Sequence, residues 1–163
     1  QQLEPPWVDV QSGAWSAGGA LLLSDARRLE TSELPVALLL ALGRSIELAL
    51  DLGPAHIAAT VQDLAQRTRA RLQQVPGLRL HDLGQGPQSG LVSFTLDGID
   101  AFALKAALAG RGIRVGANGV PYTPLDMQAR GLEAVLRLSL SYLNEEADIE
   151  RLAQAMETRA LRS

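Results

Sequence analysis

The hydrophobic period of this chain changes at Pro76-Gly77, and that change limits the possible folds more than any other feature. Upstream, Ile57, Val61, Leu64, Thr68 and Leu72 recur at three and four residues, the spacing of one helix face. Downstream, Leu78 and Leu80 alternate with Arg79 and His81, and Val92, Phe94 and Leu96 alternate with Ser93 and Thr95. That is the two-residue period of half-buried strands. Helices followed by strands that resume helices later predict two layers built on one sheet.

Local signals place the remaining elements. Thr31 or Ser32 reads as the cap of a first helix running to about Leu50, with Glu33 at its positive end. Gly53 stops it, and Pro54 suits the first turn of the next helix. Before this helix pair, residues 1–30 read as irregular chain with one short strand, Ala20 to Leu23. Asp97-Gly98 ends a strand, and Asp100 caps a helix through Ala109, closed by Gly110 and Gly112. Ile113 and Val115 predict a third strand. A loop of about fifteen residues follows, Gly116 to Arg130, a length that points to function or mobility. Val135 to Tyr142 predicts a fourth strand. Asn144 reads as the cap of a last helix that buries Ile149, Leu152, Ala153 and Met156. The expected fold is α+β, a two-layer domain with a mostly antiparallel sheet and helices on one face.

Composition narrows function by exclusion. The net charge is −3 and aromatics are 4%, which argues against nucleic acid, where a basic face supplies most of the affinity. The chain has no cysteine, so it offers no disulfide, thiolate nucleophile or cysteine metal site. His56 and His81 lack ligand spacing. The leucine-rich stretch Val36 to Leu50 is interrupted by Gly43, Arg44, Ser45 and Glu47 and is shorter than the roughly 20 residues of a membrane span. The first residues lack the basic and apolar regions of a signal peptide. The expectation is a cytoplasmic protein or fragment that binds neither membrane nor nucleic acid.

Arg137 is the most informative polar residue. On its strand the leucines point one way, and Arg137, Ser139 and Ser141 point the other. A guanidinium between small hydroxyl residues can hold a carboxylate through two parallel hydrogen bonds. The competing reading is a surface arginine paired with a nearby Asp or Glu. Asn118 and Tyr122 read as cleft-lining or as loop-packing residues, and His81 as exposed. Arg67, Arg69 and Arg71 read as a solvated helix face. Arg27 and Arg28 with Glu30 and Glu33 read as a local ion-pair network. Lys105, the only lysine, reads as solvated.

Several segments, taken in order, resemble the C-terminal part of the class V aminotransferase and cysteine desulfurase family. Arg28-Leu29-Glu30 resembles the arginine–aromatic–glutamate signature opening its interdomain helix, with Leu29 in the aromatic position. Pro76-Gly77-Leu78 and the strand Val92 to Gly98 resemble the turn and strand that follow, and Gly112-Ile113-Arg114-Val115 resembles the next strand. Arg137-Leu138-Ser139, then Tyr142, Asn144 and the acidic pair Glu145-Glu146, resembles the C-terminal block.

The resemblance implies the small C-terminal domain of a fold-type I enzyme that uses pyridoxal 5'-phosphate. Residues 1–30 would be the tail of the large cofactor domain, 31–75 the interdomain helices and 76–163 the small domain. Arg137 would grip the α-carboxylate of an amino-acid substrate. The lysine that carries the cofactor, and the other cofactor-binding residues, would belong to an N-terminal large domain outside this chain. The whole enzyme would be a homodimer. No catalytic residue and no metal site is expected in the chain itself, so alone it should be inactive. Ser32-Glu33 stands where many members carry Gly-Thr. A glutamate there resembles the branch of isopenicillin N epimerase and the ergothioneine-pathway lyase. The alternative is a stand-alone α+β module that binds a ligand or dimerises without catalysis.

Overall fold

The computed structural model describes residues 3–82, 86 and 88–158. The chain divides into two compact units, Gln1–Asp51 and Leu52–Ser163.

In the first unit, β1 (Gly13–Ser16) pairs antiparallel with β2 (Gly19–Leu22). The expected strand is there, with a partner the sequence did not announce. Asp25 caps a single 3-10 turn, Ala26–Leu29, and its carboxylate takes the Arg27 guanidinium at 2.7 Å. That hydrogen bond holds the Asp25 carboxyl below its usual range. Arg27 therefore pairs with Asp25 and not with the glutamates that follow it.

The first helix, α1, spans Val36–Leu52 and starts later than Thr31 or Ser32. The ring of Pro35 disfavours helical geometry at Leu34. Ser32 instead donates its N–H and hydroxyl to the Asp9 carboxylate at 2.9 and 3.1 Å. No residue of α1 is buried, and Leu38, Leu40 and Leu50 are each more than 60% exposed.

The second unit holds the sheet. Gly53, at φ 83°, ends α1, and Pro54 opens α2 (Pro54–Leu72). Then follow β3 (Leu78–Leu80), β4 (Leu91–Leu96), α3 (Ala101–Ala109), β5 (Gly116–Gly119), a 3-10 turn Val120–Tyr122, α4 (Pro124–Arg130), β6 (Ala134–Ser139) and α5 (Glu146–Glu157). The sheet order is β3-β4-β6-β5 with every pair antiparallel, the α+β architecture expected. One sheet face and helices α2, α3 and α5 enclose the core. Val92, Phe94 and Leu136 meet Leu72, Leu104, Leu108, Leu152 and Met156 there, all fully or almost fully buried. Each large side chain so buried contributes about 1.5–3 kcal/mol.

Four local expectations need correction. Ile113 and Val115 do not form the third strand. The Ile113 N–H is spent on the Leu108 carbonyl, closing α3, and both side chains pack on the core. The ladder to β6 is made by Gly116 to Gly119. The long loop is therefore ordered as β5, a 3-10 turn and α4. The last strand ends at Ser139, because Ser141 turns to donate its N–H to Asn144 Oδ1 at 3.0 Å. The cap of α5 is Glu145, which exchanges hydrogen bonds with Asp148 in a capping box.

The arginines of α2 are ion-paired, and of the three only Arg67 lies on a solvated face as expected. Arg71 reaches Glu150 and Glu157 on α5 at 2.7 and 2.9 Å, and Arg67 reaches Glu146 at 2.8 Å. Arg69 is mostly buried against Asp82 at 2.6 Å.

Candidate active site

The face of the sheet turned away from the core carries the polar residues. Backbone register sets them in one row. The His81 N–H donates to the Ser93 carbonyl, Ser93 lies opposite Arg137, and Arg137 lies opposite Gly116. Directly opposed residues share a face. Arg137 therefore stands on the interior strand β6 between two small neighbours, Ser93 and Gly116. Two residues along, Asn118 lies opposite Val135 on the same face.

The short helix α4 covers part of this face and leaves a cleft of about 220 Å³. His81, Ser93, Asn118, Tyr122 and Arg137 line it, over a floor of Met127, Leu132 and Val135. Arg137 is exposed, and among the described residues its side chain has no ion pair and no hydrogen bond. The reading of a surface arginine locked to a carboxylate is thus not met. Asn118 and Tyr122 both line the cleft.

Neighbouring groups are held firmly. Asp82 accepts Arg69 Nε at 2.6 Å and both the N–H and hydroxyl of Ser93 at 3.1 Å. It thereby ties α2 to the strand beside Arg137. His81 is half-buried, not exposed as its place on the strand suggested. Its Nε2 lies 2.8 Å from Thr95 Oγ1, and its carbonyl accepts Arg130 Nη2 at 2.7 Å. Burial, reinforced by the positive charges of Arg130 and Arg79, pushes the His81 imidazole below its ordinary pKa, so the neutral form prevails. Arg130 is further occupied by Asp126, one turn back on α4, at 3.0 Å.

Lys105 is exposed on α3, which packs on the opposite side of the sheet from Arg137. Among the described residues no amine lines the cleft, so these do not by themselves hold an aldehyde cofactor as a Schiff base. Among the described residues no group of His, Asp or Glu could hold a metal ion, and no helix is long and apolar enough to cross a membrane. A second cavity of about 320 Å³ lies between residues 112–115, the end of β6 and α5, and Arg137 does not line it.

Residues 21–152 match the family model for aminotransferase class-V. The chain belongs to the class-V aminotransferase family. It is 34% identical over 130 residues to a cysteine desulfurase of Synechococcus elongatus, covering 79% of this chain and 20% of that protein. The fold is similar to that of the cysteine desulfurase CsdA from Escherichia coli, with a TM-score of 0.81 and 24% identity over 98% of this chain and 39% of that one. It is also similar to a C-DES variant with glycine covalently linked to its PLP cofactor, with a TM-score of 0.71 and 20% identity over 94% of this chain and 37% of that one. The chain spans between 20% and 33% of the length of the curated relatives it matches.

Within this family member, sequence reasoning missed Ser93, Gly116 and Arg130 as parts of the site. Ser93 was visible only as an alternating polar residue. Gly116-Ala117-Asn118-Gly119 has almost no strand propensity. A glycine in a strand does, however, signal a place where another group approaches closely.

Proposed function

We propose that this chain is the C-terminal part of an enzyme that uses pyridoxal phosphate to act on an amino acid, and that Arg137 binds the substrate's α-carboxylate. In that reading residues 1–30 end the large cofactor domain, 31–75 are the interdomain helices and 76–163 the small domain. The observation that carries it is Arg137 itself: a guanidinium without a partner among the described residues, lining a cleft, between Ser93 and Gly116. An unpaired guanidinium facing a cleft is a vacant two-pronged donor, and a carboxylate matches it.

A second observation supports a larger parent protein. Helix α1 is leucine-rich, with its charged residues Arg44, Glu47 and Asp51 on one side, yet none of its residues is buried, and an exposed apolar surface of that extent marks contact with another body. The cofactor supplies an electron sink when bound; its seat lies outside these residues. The chain's own contribution is to orient the substrate by its carboxylate. The absence of any thiol in these residues, together with Glu33 in place of the usual threonine, favours the branch of isopenicillin N epimerase and the ergothioneine-pathway lyase. The reaction is an amino transfer, elimination or epimerisation in a cytoplasmic homodimer.

Titrating the isotopically labelled chain with acetate tests the carboxylate role. The Arg137 Nε–Hε signal moves and saturates; if acetate leaves it in place, the reading fails. Mixing the chain with pyridoxal phosphate and reducing with borohydride tests its inactivity. No stoichiometric adduct forms, and a specific adduct on Lys105 would overturn that part.

A further inference from the structure

We infer that the cleft beside Arg137 selects monocarboxylates whose remaining substituent is uncharged, and rejects dicarboxylates. This rests on the carboxylate role of Arg137 and concerns what lies next to it.

Two guanidiniums line the cleft, and only one is available. Arg130 gives one nitrogen to the Asp126 carboxylate at 3.0 Å and another to the His81 carbonyl at 2.7 Å. Its charge is compensated inside the cleft wall. Asp126 also lines the cleft, and its charge is offset by Arg130 just as Arg130's is by it. A second carboxylate on the ligand would lose water there and, among the described lining residues, find no free cation to offset the loss. A carboxylate taken out of water without a charge partner is disfavoured.

The rest of the lining is neutral. Met127, Leu132 and Val135 make the floor, Asn118 and Tyr122 add uncharged hydrogen-bonding groups, and burial pushes His81 towards its neutral form. A volume of about 220 Å³ exceeds the roughly 150 Å³ that accommodates benzene. It therefore takes a carboxylate with a branched or aromatic substituent of amino-acid size. Asp126 is the specificity-determining residue. It acts by occupying Arg130, the other guanidinium of the cleft.

The test titrates the labelled 163-residue chain with isovalerate and, separately, glutarate, following the Nε–Hε signals of Arg137 and Arg130. Isovalerate should move Arg137 and leave Arg130 unchanged. It should bind about fivefold more tightly than glutarate, although glutarate's two equivalent carboxylates give it a statistical advantage of about two. Asp126→Asn should raise glutarate affinity to match or exceed that of isovalerate, with Arg130 now responding. Equal affinities in the parent chain, or an unchanged ratio in Asp126→Asn, would overturn the inference and leave the carboxylate role of Arg137 standing. If neither acid moves Arg137, both fall.

Discussion

Gly116 on β5 lies directly opposite Arg137 on β6, and a Cβ built on it would stand 3.6 Å from Arg137 Nε and 3.7 Å from its Cβ. The stem of the arginine thus runs over the glycine. An alanine methyl fits there at ordinary contact distance, but a branched side chain would have to share the volume of the guanidinium. Gly116 has no positive φ, so a side chain strains nothing in the backbone, and β-branched residues favour strands. Gly116→Val should therefore keep or raise the melting temperature while weakening acetate binding at Arg137 about threefold or more, by roughly 0.7 kcal/mol. Gly116→Ala should change neither. Calorimetric melting and the Arg137 titration check both halves.

Replacing Arg137 with lysine keeps the charge and removes the fork. Lysine presents one ammonium where arginine presents parallel N–H groups. Acetate affinity should fall about tenfold, near 1.4 kcal/mol. Stability should stay within about 0.5 kcal/mol, because the side chain is exposed and makes no ion pair among the described residues. A large loss of stability in urea would mean that Arg137 is structural.

Arg69→Ala should be much more damaging to the fold. Arg69 and Asp82 retain only 15% and 13% of their side-chain exposure, and Arg69 also donates to the carbonyls of Ser89 and Leu91. Removing the cation leaves the Asp82 carboxylate buried without its charge partner, at a cost of about 3 kcal/mol. The double variant Arg69→Met with Asp82→Asn should lose less than Arg69→Ala. Urea unfolding of both decides it.

The contrast between Arg137 and Arg69 shows what could be read from the sequence. Period-two alternation was enough to put Arg137 on the polar face of β6 and Leu136 in the core, and period 3.6 gave the buried stripe of α5. These are properties of single elements. The fates of Arg67, Arg69 and Arg71 are properties of pairs far apart in the chain, such as Arg71 with Glu150, and no local pattern announces them. β5 was misplaced for a related reason. Ile113 and Val115 have the propensity for a strand, but the pairing fell to Gly116 to Asn118, where small residues leave room beside Arg137. Propensity yielded there to the needs of the cleft. The start of α1 was the simplest error, since Pro35 was visible and outranked Ser32 as the boundary signal.

His81 provides the last prediction. Its imidazole is pushed below the ordinary value of 6.5 by burial and by Arg130 and Arg79. The unfolded chain takes up a proton near pH 6.5, where the native protein still refuses it. Stability contributed by the neutral ring is thus complete above that pH and is lost as pH falls through the lower native value. The carboxyls held low by hydrogen bonds, such as Glu150 and Asp148, act in the same direction in a separate, more acidic window, below their ordinary values of 4.5 and 3.8. Urea stability should therefore decline between pH 7.5 and 5.5, and His81→Gln should flatten that decline while preserving the contact to Thr95. The His81 ring signal should titrate below pH 6.5. A midpoint at or above that value, or an unchanged slope in His81→Gln, would show that the cleft does not hold this ring neutral.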